Sequence, residues 1–121
     1  MKVETKNADV GMLLKLYVEA AVAHYCATEK GDYRTANRQH DVVAAAYREL
    51  RGRGIEAQRS LLVLLDHPNE AVRAWAAAHA LEFAPDEGEP ILQSIAKGSG
   101  VCKLNATITL DEWKKGALKF P

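Results

Sequence analysis

Apolar residues recur at intervals of three and four along almost the whole chain. Val10, Leu13, Leu14, Tyr17, Val18, Ala21 and Tyr25 share one side of a predicted first helix, with Asn7 or Asp9 as its cap. Gly31 ends that helix. Asp32 caps a second, which places Ala36, His40, Val43, Tyr47 and Leu50 together and runs out at Gly52 and Gly54. Ile55, Gln58, Leu61, Leu62 and Leu65 line a third. Its leucines Leu61, Leu62, Leu64 and Leu65 make it apolar over most of its circumference, the pattern of a helix packed between others.

The third helix stops near Asp66, because Pro68 lacks a backbone N–H and biases His67 away from the α region. Asn69 then caps a fourth helix from Glu70 to about Phe83. Val72, Ala76, Ala80 and Phe83 fall on one face of it, flanked by Trp75 and His79. Ala84-Pro85-Asp86 breaks the chain, and a fifth helix carrying Ile91, Leu92 and Ile95 starts between Asp86 and Pro90. Beyond Gly98-Ser99-Gly100 the pattern offers two readings. Ala106 to Leu110 has strand propensity, and Thr109-x-x-Glu112 is a capping box that would start a helix at Leu110. Cys102, Ala106, Leu110, Trp113 and Ala117 keep helical spacing, however, and no second strand is available for pairing. One helix from about Cys102 to Lys115 is the better reading.

Six helices joined by short breaks make three antiparallel pairs, each burying its apolar face by stacking on the next. The expected fold is therefore all-α: a right-handed α-α superhelix of the HEAT/armadillo kind, as one domain over residues 1–121. A four-helix-type bundle is the structural alternative. Trp75 and Trp113 are expected as packing residues.

The stretch from Asp66 through Pro68 to Val72-Arg73, followed by alanines, resembles the turn and second helix of a HEAT-type repeat. In that resemblance Asp66 or Glu70, together with Arg73, helps to tie neighbouring units, and the Arg73 guanidinium is expected to bond an acidic side chain or the carbonyl end of a neighbouring helix. Leu81 departs from the pattern, standing one residue after the usual leucine, where this chain has Ala80. Nearly the full length also resembles a small bacterial family of HEAT-like proteins of unknown function. Gly31-Asp32, Asn37, Asp41, Val72-Arg73 and the closing Leu110-x-x-Trp113-Lys114-x-Gly116 carry this likeness. It implies a fold and brings no active site.

Composition adds exclusions. The 121 residues are 48% hydrophobic and 26% charged, enough apolar surface for one soluble core. Sixteen Lys+Arg balance sixteen Asp+Glu, so the net charge is +0 and no bulk attraction draws the chain to nucleic acid or membrane. The N-terminal MKVETKNADVGM lacks an apolar signal core, and no run is expected to reach membrane-spanning length. The cytoplasm is the expected setting. Cys26 and Cys102 fit no zinc spacing and are expected as buried, reduced thiols.

Candidate chemistry is sparse. No phosphate loop, H-E-x-x-H helix or nucleophile elbow is present, so neither an enzyme nor a cofactor is expected. One polar group stands out where the first two helices meet: His24 and Tyr25 on one side, Tyr33, Asn37, His40 and Asp41 on the other. His24, His40 and Asp41 have the chemistry of a metal or small-ligand site. The heavier reading has Asn37, His40 and Asp41 tying the helix pair by hydrogen bonds. His67 reads as a turn residue and His79 as partly buried packing. Arg48, Arg51, Arg53 and Arg59 surround the Gly52–Gly54 turn, where helix-end carbonyls favour cations. Glu49 and Glu56 interrupt this patch, and no aromatics interleave for base stacking. Glu82, Asp86, Glu87 and Glu89 form an acidic counterpart.

The expected function is a protein–protein interaction module with an unidentified protein partner, including the possibility of immunity-type toxin neutralisation. Tyr33, Arg48, Arg51 and Trp75 are its candidate anchors, since aromatics and arginines dominate interface energies. Metal or small-ligand binding at His24/His40/Asp41 is one alternative. Gripping a nucleic-acid backbone is another, disfavoured by neutrality.

Overall fold

The computed structural model describes residues 5–121; the first four residues of the N-terminal stretch weighed above lie outside it. Among the described residues every regular element is helical. Six α-helices, α1 (Val10–Glu29), α2 (Tyr33–Gly52), α3 (Ile55–Arg59), α4 (Glu70–Ala80), α5 (Pro85–Lys97) and α6 (Lys103–Lys114), are joined by a 3₁₀ segment, Ser60–Asp66, and short turns. The strand reading of Ala106 to Leu110 is excluded, because those residues lie within α6. The chain divides into two compact units, one ending at Ser60 and the other spanning Leu61–Phe120.

In the first unit α1 and α2 pack along each other. Asp9 starts α1 by accepting from the Met12 N–H at 2.8 Å, so it, not Asn7, is the cap. The turn to α2 needs Gly31 at φ 73°, a backbone region costly for residues with a Cβ. Asp32 donates its N–H to the Ala27 carbonyl at 2.9 Å and accepts from the Thr35 N–H at 3.2 Å, closing one helix and opening the next. Leu13, Tyr17, Ala20, Ala21 and Ala27 are buried from α1, and Ala36, Val43, Ala44, Ala46, Tyr47 and Leu50 from α2. So many alanines allow close helix approach. Tyr17 and Tyr47 are fully buried within it, and Gln58 donates to the Tyr47 hydroxyl at 2.9 Å.

Three expectations for this unit are corrected. The buried side of α1 is rotated towards Ala20 and Ala27, which leaves Val10, Leu14, Val18 and Tyr25 half-buried and Cys26 exposed, not a buried thiol. His40 is exposed and does not join Val43, Tyr47 and Leu50 inside. Finally, α1 has 20 residues, and an 18-residue stretch of it has a mean hydropathy of 1.2, long and apolar enough by length and composition to cross a membrane. The expectation that no run reaches that length fails because Lys15, Glu19 and Glu29 are diluted by alanines and leucines. Composition does not separate such a helix from a core helix, and one side of α1 is packed within this unit.

The third predicted helix is two elements. It is α-helical only to Arg59 and then tightens into the 3₁₀ segment. The Ser60 hydroxyl donates back to the Ala57 carbonyl, a local bond that competes with regular winding. Three residues per turn stacks i on i+3. Leu61 and Leu64 are buried one such turn apart, Gln58 and Leu65 are buried beside them as expected, and Ile55 at 57% and Val63 at 66% are exposed.

In the second unit α5 packs on both α4 and α6. Asn69 caps α4, its side chain accepting from the Ala71 N–H at 2.9 Å and the Val72 N–H at 3.3 Å. Val72, Ala76, Ala77, His79 and Ala80 are buried, with Phe83 and Trp75 half-buried. Bonds of the i→i+3 kind carry the chain on from α4 to Phe83, the end expected from the pattern. Pro85, one residue before the expected range, is the first residue of α5, and Pro90 lies inside the helix. Gly88 is buried where α5 crosses α4: a Cβ there would stand 2.6 Å from the Ala77 carbonyl oxygen. Cys102, Ala106 and Leu110 are buried along α6, and Trp113 is half-buried. Ala117 is exposed, since Gly116 at φ 73° turns the chain out of the helix before it.

Candidate functional site

The polar group expected at α1 and α2 assembles in part. The rings of His24 and His40 lie with centroids 6.4 Å apart and planes tilted by 51°. His24 is half-buried; burial and, after it, the neighbouring His40 push its pKa below the ordinary histidine value. Asp41 Oδ1 stands 3.7 Å from His40 Nδ1, with side chains 80% and 56% exposed. Asn37, His40 and Asp41 are all exposed, and Asp32 and the apolar seam also join the two helices. Among the described residues no group of three or more His, Cys, Asp or Glu side chains is placed to hold a metal ion.

The arginines near the Gly52–Gly54 turn divide by role. Arg53 is internal: its Nε donates to Glu49 Oε2 at 2.9 Å and its Nη2 to the Thr5 and Lys6 carbonyls at 3.1 and 3.2 Å. Arg51 lies over the Tyr47 ring at 5.4 Å, a cation–π contact that makes it a lid on the buried tyrosine. Arg48 and Arg59 are exposed. Arg34 and Arg38, missed by the sequence reading, are also exposed, and they share with Arg48, and with the exposed carboxylate of Asp41, the side of α2 opposite Ala36, Val43, Tyr47 and Leu50. Their spacing relative to that apolar stripe was the signal that could have found them. Tyr33, at the start of α2, is 70% exposed.

In the second unit Trp75 is engaged with His79, ring centroids 5.8 Å apart and tilted by 40°, and His79 is buried. Of the four candidate anchors, Tyr33 and Arg48 are presented outward, while Arg51 and Trp75 make contacts inside their own units. Arg73 donates through Nη1 to the carbonyls of His67 at 2.8 Å and Pro68 at 3.0 Å. Its partners are thus carbonyls just past the 3₁₀ segment, not the carboxylate of Asp66 or Glu70. His67 is the turn residue expected, its Nδ1 accepting from the Asn69 N–H at 3.0 Å. Val101 (57% exposed) in the turn before α6, with Leu104 (67%) and Ile108 (50%) on the helix, leaves apolar side chains exposed there.

These features define an all-helical protein with a basic, tyrosine-edged helix face and a small histidine cluster. The chain belongs to the family described as "Domain of unknown function (DUF2019)", whose model matches residues 11–113. It is similar in structure to the protein RPA1889 from Rhodopseudomonas palustris CGA009, known from a crystal structure. That likeness has a TM-score of 0.91 and 26% identity, over 99% of this chain and 100% of the other. No curated protein matches.

Proposed function

We propose that this protein is a non-catalytic interaction module of the cytoplasm that docks an acidic protein surface on the outer side of α2. The observation that carries this reading is the alignment of Arg34, Arg38 and Arg48 on that side, beside exposed Tyr33. Arginine and tyrosine are the residue types that concentrate binding energy, because they bring large contact area with forked or hydroxyl hydrogen bonding. A toxin neutralised by this protein is one partner of that kind. The helices are read as HEAT-like repeats of a right-handed superhelix, in which Asp66, Pro68, Val72 and Arg73 form a repeat junction. Arg73 bonding across its turn supports that reading. The two free thiols suit a reducing compartment.

The test is capture of a partner from the native host by crosslinking, followed by affinity measurement with Arg34→Glu/Arg38→Glu and with Arg48→Glu. Loss of binding without loss of helicity supports the α2 surface. Full affinity in both variants overturns it. If no protein is captured and the same reversals abolish binding to duplex DNA, the guanidinium groups serve a phosphate backbone instead.

A further inference from the structure

His24 near the end of α1 and His40 on α2 are brought from separate helices to a centroid distance of 6.4 Å. The alanine-rich seam between α1 and α2 is closed by other residues, so packing alone does not call for two imidazoles at its edge. A zinc–nitrogen bond of about 2.0–2.1 Å places each ring centre roughly 3 Å from the ion, so two imidazoles on one metal stand roughly 5–6 Å apart. The observed spacing is slightly wider than that range. The His40 side chain is 56% exposed, so solvent water reaches this edge. Asp41 lies on the Nδ1 side of His40, where a carboxylate adds negative charge and directs coordination to Nε2.

We propose that His24 and His40 form a two-imidazole clamp for a late first-row divalent cation such as Cu²⁺ or Zn²⁺, with water completing the coordination. Imidazole nitrogen suits these ions, and copper(II) stands highest in divalent affinity order. With no third His, Cys, Asp or Glu assembled there among the described residues, the clamp is open. It holds an exchangeable ion that a partner's side chain can also ligate, and it clips α1 to α2 when loaded.

The experiment uses the full chain without an affinity tag, carrying Cys26→Ser to remove the exposed thiol as a competing ligand. Calorimetric titration with Cu²⁺ alone should give one ion per chain, with an electron paramagnetic resonance signal showing two imidazole nitrogens. His24→Gln and His40→Gln should each lose the one-to-one isotherm, while His67→Gln keeps it. Unchanged binding in the His24 and His40 variants, or no one-to-one binding in the parent, overturns the proposal. Should either variant lose its helical circular dichroism, imidazole NMR of the parent with Zn²⁺ decides. Shifts at His24 and His40 support the clamp, and shifts confined to His67 or His79 overturn it.

Discussion

Two hydrogen bonds leave the Arg73 guanidinium for the carbonyls of His67 and Pro68, groups that the proline turn deprives of regular helical partners. Arg73→Ala should lower stability by about 1.5 kcal/mol, the low end for hydrogen bonds to a charged group, because the Pro68 carbonyl bond is exposed to competing water. An unchanged denaturation midpoint would show that water replaces the side chain at no cost. Gly88 poses the opposite problem, since backbone and not side chain is what an added methyl would strike. Gly88→Ala should destabilise by about 1–3 kcal/mol, the cost of overpacking, despite alanine's better helix propensity. Gly52→Ala meets nothing within 4 Å and should be neutral or slightly stabilising. Thermal melts of the two variants side by side check the contrast. The sequence left Arg73 two kinds of acceptor, an acidic side chain or the carbonyl end of a helix, since a guanidinium donates to both. The path of the proline turn brings the carbonyls within reach and decides between them.

At the scale of elements, starts and stops follow from local chemistry. Asp9, Asp32 and Asn69 all cap the helices the sequence assigned them, because each cap bonds N–H groups within three residues of itself. Asp32 has a measurable consequence. Hydrogen bonds from the Thr35 side chain and backbone hold its carboxyl below the ordinary aspartate value, so the unfolded chain binds its proton more readily than the folded one. That contribution to stability is present above the unfolded pKa and is lost as pH falls through the folded one. Asp32→Asn keeps the cap and removes the charge, so its stability should fall less steeply with acid than that of the parent in denaturant titrations at stepped pH. Equal slopes would mean that the shift has no energetic weight. The winding of the third element was not legible. Gln58, Leu61, Leu64 and Leu65 are all buried, so burial suits both a 3.6-residue and a three-residue pattern, and the Ser60 hydroxyl bond is the local feature that accompanies the tighter one.

Across the whole chain, a net charge of +0 conceals an uneven distribution: six of the seven arginines precede Ser60. Three of them stand on the exposed side of α2, so reversing two should disturb binding and not folding. Arg34→Glu/Arg38→Glu should keep stability within about 0.5 kcal/mol of the parent, as exposed substitutions do, and a larger loss in urea titration would place these residues in the fold itself.

The sequence by itself determined the all-helical class, the six helical segments, many of their boundaries and the caps of α2 and α4. It could do so because periodicity, proline, glycine and capping side chains act within a few residues of themselves. Tertiary structure decided which side of each helix is covered. It turned Cys26 and His40 outward and set Arg51 over Tyr47, while the meeting of His24 and His40 was expected from the pairing of the first two helices. Those outcomes depend on helix rotation and on contacts between residues distant in the chain. Alanine-rich helices such as α1 and α4 offer several nearly equivalent apolar sides, and packing alone breaks the tie.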